Sequence, residues 1–335
     1  MRRLLMAVWL ALTAMLGGAV TAADSQNPQV EQQQVQPLNN APVWRAVRYG
    51  EPGVTQVRGV DSNVLIQASG ETWRQIRNGP ITLYGGVLLI LVPIGILGFY
   101  RLAGPIKTHD APTGRKLERF SRWERIVHWT TAITFVILAL TGILLLFGKH
   151  LLIPLIGYEA FSWVGAASKN LHNFVGPLFI FAVACMFFTY LRENLWKAHD
   201  LEWLRKMTKV LTGKAHVPSG KYNAAEKGWF WGGVAFLGLV VGASGLVLDF
   251  ANFGQGRVVM QVANVVHGVG ALLFVLASFG HIYMGTIGTE GAFDAMMSGQ
   301  VDETWAREHH ELWYREATSR ASPAASTGGA PRPAG

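Results

Sequence analysis

Five apolar stretches interrupt an otherwise polar chain, at 81–100, 126–147, 172–191, 228–250 and 262–287. Each is long enough to cross a hydrocarbon core, for which about 20 helical residues suffice. The polar segments between them are unequal. Segments 101–125 and 192–227 carry seven and eight Lys plus Arg, whereas 149–171 and 251–260 carry two and one. Basic loops stay on the cytoplasmic side, so the first two face inward and the last span delivers the C-terminal tail inside. Residues 1–23, with Arg2 and Arg3, an apolar run at 4–16 and the small pair Ala22–Ala23, read as a cleaved secretory signal. That independently puts the following segment outside.

The predicted fold is an all-α membrane protein: a four-helix transmembrane bundle plus one extra N-terminal transmembrane helix. The expected organisation is a signal peptide at 1–23, a periplasmic segment at 24–80, the extra helix and a cytoplasmic linker at 81–125, the bundle at 126–290 and a cytoplasmic tail at 291–335. Within the periplasmic segment, 24–40 is rich in Gln and Asn and is expected to be disordered, and 43–77 is expected to form a small hairpin unit. The stretch 301–316 is expected to be one short cytoplasmic helix, followed by a disordered Ser/Pro/Ala/Gly tail from Ala321.

Composition agrees with this reading. Half of the 335 residues are hydrophobic and 15% are charged. The net charge of +8 follows the inward loops and does not call for nucleic acid; lipid is the expected surroundings. The single cysteine, Cys185, lies in an apolar run and cannot by itself hold an iron–sulfur cluster. No Gly-rich phosphate loop, CxxC, HExxH or GxSxG is present, so redox chemistry would have to use histidine or methionine, or sit on a partner.

Histidine is the informative residue. His267 and His281 share the last span, fourteen residues apart, which is about 21 Å along a helix and roughly the same face. Polar side chains at membrane depth are costly and mark functional sites. The topology puts His128 and His281 near the inner surface and His172, expected to open the third span, with His267 near the outer one. Each pair comes from two spans, as the axial positions of a six-coordinate haem require. Two haems b, ligated by His128 with His281 and by His172 with His267, are therefore expected, making the bundle a di-haem electron wire. Met284 is a weaker alternative ligand. His109, His150, His199, His216, His309 and His310 fall in loops or tail and are expected to be mostly solvated. The loop around Lys221, Tyr222 and Asn223 runs into Trp229, Phe230 and Trp231. It suggests a quinone pocket in which Asn223 hydrogen-bonds the quinone and His281 also touches it, with Lys221 nearby. The bland readings are helix packing for the histidines and an ordinary interfacial charge for Lys221.

The stretches around these residues resemble a known family. RFSRWERIVHWT around His128, LHNFVGP around His172, GKYNAAEKGWFW, VVHGVG around His267, GHIYMG around His281 and AREHHELWYRE are similar to the gamma, cytochrome b556, subunits of membrane-bound formate dehydrogenase, within the di-haem cytochrome b family. The likeness covers about residues 118–316. It implies a catalytic alpha subunit with molybdenum or tungsten, an iron–sulfur beta subunit that feeds the outer haem, and menaquinone or ubiquinone reduced near Asn223 in the bacterial inner membrane. Ala225 stands where some members have glycine, at a backbone contact to quinone. The signal, external segment and first span are absent from the short form of that subunit, and residues 24–79 are expected to dock the soluble subunits. Two alternatives remain: a cytochrome b subunit of a hydrogenase or other periplasmic oxidoreductase, and a haem-free membrane anchor.

Overall fold

A computed structural model describes residues 41–51, 68–212 and 214–321. The expected signal, the stretch 24–40 expected to be disordered, the centre of the expected hairpin and the tail beyond Ala321 lie outside the described residues. The chain divides into two compact units, Met1–Thr72 and Trp73–Gly335. In the first, Ala41–Tyr49 is a helix. Residues 68–76 are also helical, so the described ends of the expected hairpin are helices and not strands.

Five helices are long and apolar enough to cross a membrane: Ser69–Ala103, Arg122–Leu151, Ile153–Tyr190, Ala224–Asp249 and Arg257–Gly285. Numbered in that order as spans one to five, they match the apolar stretches, with one substantial correction. The segment 149–171, expected to be a loop, is almost entirely helical: 149–151 end span two, and after Leu152 the stretch 153–171 belongs to span three. The only interruption within span three is Gly157, at φ 75° and ψ 175°, a conformation that glycine adopts without strain. His172 therefore lies well inside its helix rather than at the start. Amide hydrogen bonding needs no lipid, so a helix continues past the apolar run until a residue breaks it.

Local chemistry sets the ends. Ser121 begins span two with a capping box: its hydroxyl accepts from the Glu124 amide at 3.3 Å and the Glu124 carboxylate accepts from the Ser121 amide at 2.8 Å. Gly104, at φ 71°, ends span one. Within the spans, hydroxyls turn back onto their own helix. Thr131 donates to the Val127 carbonyl at 2.9 Å, Thr141 to Ile137 at 2.8 Å and Ser278 to Phe274 at 2.6 Å, which leaves no bare donor in an apolar surround. Outward positions such as Leu83, Ile90, Leu140, Phe181 and Leu239 stay exposed, as a lipid-facing surface requires.

At one end of the bundle the linkers assemble a small polar cap. β1, Lys116–Glu118, pairs antiparallel with β2, Gln300–Asp302, with Leu117 opposite Val301. The expected single helix at 301–316 is instead the end of β2, a helix Glu303–His309 and a second helix from Glu311. Phe120, Tyr222, Phe230, Val301 and Trp305 pack together beneath. The cap gathers 101–125, 192–227 and the residues after span five, the basic segments, at the same end.

Candidate cofactor site

Span five carries His267 and His281 on one continuous helix, and each meets a histidine from another span. The rings of His128 and His281 are 6.3 Å apart between centroids, and those of His172 and His267 are 6.0 Å apart. Two imidazoles gripping one iron from opposite sides, with bonds of about 2 Å like those to zinc, would hold their centroids roughly 6–6.5 Å apart. Among the described residues no group of three or more His, Cys, Asp and Glu side chains converges, so these donors come in twos.

The second nitrogens are also arranged. Thr141 spends its only hydroxyl hydrogen on Ile137, so its oxygen accepts from Nδ1 of His172 at 2.8 Å. His267 donates from Nδ1 to the Val241 carbonyl at 3.1 Å. A carbonyl can only accept, which fixes the hydrogen on Nδ1 and leaves Nε2 with its lone pair. At the other pair, Nδ1 of His128 is buried with no hydrogen-bond partner. His281 stacks on Trp229, centroids 4.7 Å apart and planes 11° from parallel. Glycine permits this stack: a Cβ at Gly233 would stand 2.7 Å from the Trp229 ring.

Each pair opens on a cavity. One of about 520 Å³ is lined by His172, His267, Gly176 and Gly268; one of about 1860 Å³ is lined by His128, His281, Gly228, Gly232 and Gly280. Gly176, Gly228, Gly232 and Gly280 have nothing within 4 Å of where a Cβ would stand, so they open room for a flat ligand. Phe135, Phe179 and Phe274 line both cavities and divide them; Phe135 and Phe274 lie 4.8 Å apart. Donor set, spacing and space fit a haem at each pair.

The larger cavity continues into the polar cap, where Asn223 and Ala225 form part of its wall. The side-chain oxygen of Asn223 caps the helix Ala224–Trp229 by accepting from the amides of Ala225 and Glu226, both at 3.0 Å. Its amide nitrogen makes no bond among the described residues. That helix ends at Trp229 on His281, which sets Asn223 about 9 Å along the axis from the stacked ring. Lys221 turns elsewhere: its ammonium pairs with Glu124 at 2.6 Å and Glu193 at 3.5 Å, and it does not line the cavity. Two of the histidines expected to be solvated are not. His310 is only 2% exposed, and His309 lines the cavity with its Nε2 buried and unpartnered.

Sequence reasoning missed the acceptors Thr141 and Val241, the three-phenylalanine partition and the Trp229 stack. Only Thr141 left a trace, as a lone hydroxyl amid aliphatic residues.

The fold and site define an all-α integral membrane protein with imidazoles paired at two levels, the build of a membrane cytochrome b. The chain belongs to the prokaryotic cytochrome b561 family, whose profile matches residues 119–299. The family implies haem b as cofactor. Among its relatives, the cytochrome b556(fdo) subunit of formate dehydrogenase from Escherichia coli K12 is 30% identical over 206 residues, covering 59% of this chain and 92% of the relative. The nitrate-inducible cytochrome b556(Fdn) subunit of the same strain is 29% identical over 198 residues, covering 58% and 88%. The Haemophilus influenzae formate dehydrogenase cytochrome b556 subunit is 28% identical over 203 residues, covering 57% and 79%.

Proposed function

We propose that this chain is the membrane cytochrome b subunit of a formate dehydrogenase complex in a bacterial inner membrane. In this reading it takes electrons from an iron–sulfur beta subunit, fed by a molybdenum or tungsten alpha subunit, and gives them to menaquinone or ubiquinone. His172 and His267 hold a haem b at the outer level, and His128 and His281 hold one at the inner level. When bound, each haem supplies a one-electron iron couple.

The paired ring spacing in the two cavities carries this reading, and the likeness to formate dehydrogenase subunits supplies the partners. The chain's own residues prepare the site. Thr141 and the Val241 carbonyl hold the outer imidazoles as Nδ1–H tautomers with Nε2 free to ligate. The phenylalanines keep the space between the levels dry, where charge cannot leak to water. Trp229 fixes the ring plane of His281. Asn223, on the wall of the larger cavity, has an amide donor to offer, suited to a quinone carbonyl. His281 contributes to that pocket as the ligand closest to it, and Ala225 supplies backbone. Lys221 helps by holding the loop to span two through Glu124, not by touching quinone.

The basic cap is cytoplasmic in this proposal, so the N-terminal segment is periplasmic once the signal is cleaved, and quinol takes its protons from inside. Moving each electron inward stores about 2.3 kcal/mol per 100 mV. Haem stoichiometry of the purified complex, with its co-purifying subunits identified, tests the proposal. Two b haems on this chain are expected, with His172→Ala or His267→Ala losing the outer one and His128→Ala the inner one. A single haem, or both haems intact in these variants, would overturn it; a nickel-containing partner would exchange formate for hydrogen as donor.

A further inference from the structure

Span one lies outside the matched region 119–299, yet its residues complete the wall of the smaller cavity. Trp73, Arg77 and Ile81 recur every fourth residue and so share a face. Trp73 donates from Nε1 to Asn264 at 3.2 Å, one turn before His267 on span five. Ile81 is 8% exposed, packs with Phe147 and Leu272, and lines the cavity. Between them the helix widens into a π turn at Arg77–Ile81, a feature frequent at functional sites. Thr82 fixes this turn by donating from its hydroxyl to the Arg77 carbonyl at 2.7 Å.

The consequence is that Arg77 is held at the lip of the cavity that contains His172 and His267. Lys169 lies three residues before His172, just under one turn, and lines the same lip. Among the described residues Lys169 has no hydrogen bond or ion pair. The Arg77 guanidinium makes one side-chain bond, from Nη1 to Asn78 at 3.1 Å, which leaves most of its five donors free. Asp249 also lines this lip and contributes the opposing charge. Asn173 and Asn264 add neutral amides. The polar end therefore holds two cations against one anion, next to a cavity whose remaining wall, His172 and His267 aside, is apolar.

We propose that Arg77 and Lys169 form the carboxylate-binding end of this cavity, taking the propionate groups of the haem held by His172 and His267. Span one is then part of the cofactor site. The inference rests on the two-haem reading above. Arg77 offers a planar fork that matches a carboxylate, and Lys169 a point charge. Both offset the propionate charge beside the iron and so favour its reduced state.

The test is a potentiometric titration of the b bands in the purified complex, with haem content measured alongside. Arg77→Gln is expected to lower the midpoint of one haem, cutting its reduced-to-oxidised ratio at fixed potential about tenfold, or about 59 mV for one electron. The haem affected should be the one lost in His172→Ala. Lys169→Gln should move the same haem in the same direction, and Arg77→Lys should recover most of the loss. Arg101→Gln, at the opposite end of span one, controls for the helix itself and should move neither haem. Unchanged midpoints and haem content in both Arg77→Gln and Lys169→Gln would overturn the proposal, as would an equal shift in Arg101→Gln. A wild-type complex without a second haem would instead sink the reading on which this rests, before any variant is compared.

Discussion

Arg119 and His310 are locked together inside the polar cap. A guanidinium nitrogen of Arg119 lies 2.9 Å from Nε2 of His310, whose Nδ1 donates to the Gly220 carbonyl at 2.7 Å. Nε2 must therefore be the acceptor, and the ring is neutral. The same guanidinium nitrogen reaches the Lys221 carbonyl at 2.8 Å and Glu226 at 3.1 Å. One buried arginine thus joins the linker before span two, the Asn223 loop and the C-terminal segment. Replacing His310 with alanine should strip a buried charge of one acceptor and cost about 2 kcal/mol, read as a lower thermal midpoint of the complex. An unchanged midpoint would show that the cap is held elsewhere.

The cap should also sense acid. Burial pushes His310 well below the usual imidazole range, with the Arg119 charge adding to it, and burial pushes His309 down to about 4. In the unfolded chain both titrate near 6.5. Between 6.5 and the folded values the unfolded state binds more protons, so stability falls as pH drops through that window and is level above it. The slope is up to about 1.4 kcal/mol per pH unit for each histidine. Thermal midpoints at pH 7.5 and 5.0 measure this, and His309→Gln should flatten the dependence. An equal slope in that variant would refute the assignment.

Lys227 and Asp200 form an ion pair at 2.7 Å with side chains 1% and 2% exposed. Lys227 sits on the short helix capped by Asn223 and ended by Trp229, so the pair anchors that helix to Ala198–Arg205. Lys227→Met alone should cost about 3–5 kcal/mol, because it strands a carboxylate. The double variant with Asp200→Leu should recover most of it. Denaturant unfolding followed through haem absorbance gives both numbers, and a double variant as weak as the single one would contradict this account.

In the proposed function Asn223 has two separable jobs, capping its helix and donating to quinone. Asn223→Ser keeps an oxygen to cap the helix and loses the amide donor, so the KM for quinone should rise about tenfold, the worth of about 1.4 kcal/mol, with unchanged haem spectra. Asn223→Ala should add a stability loss of about 1 kcal/mol from the cap. Equal quinone kinetics in Asn223→Ser and wild type would remove Asn223 from the pocket.

Gly142 and Gly245 sit behind His172 and His267, the pair that holds the outer haem in the proposed function. A Cβ would stand 3.3 Å from Cε1 of His172 at the first and 3.2 Å from Cε1 of His267 at the second. Either alanine variant should turn its imidazole by a few tenths of an ångström and shift the electron paramagnetic resonance signal of one haem only, with haem content intact. A shift in both signals would mean that the two levels are not insulated from each other.

The sequence by itself determined the five spans, the gathering of basic loops at one end and the matching of histidines by depth. Lipid leaves long apolar runs and Lys/Arg asymmetry as direct traces, and helical rise converts residue number into depth. The helical course of 149–171 was not legible, because a helix that leaves the apolar region keeps its hydrogen bonds but loses its compositional mark. Tertiary structure alone decided how each helix is rotated about its axis. That rotation brings Thr141 and Val241 behind the imidazoles, stacks Trp229 on His281, turns Lys221 toward Glu124 and sets Arg77 at the lip of the smaller cavity. It also brought residues about 180 positions apart together as β1 and β2. Such contacts depend on packing between spans, and a linear pattern of apolar and polar residues carries depth but not angle.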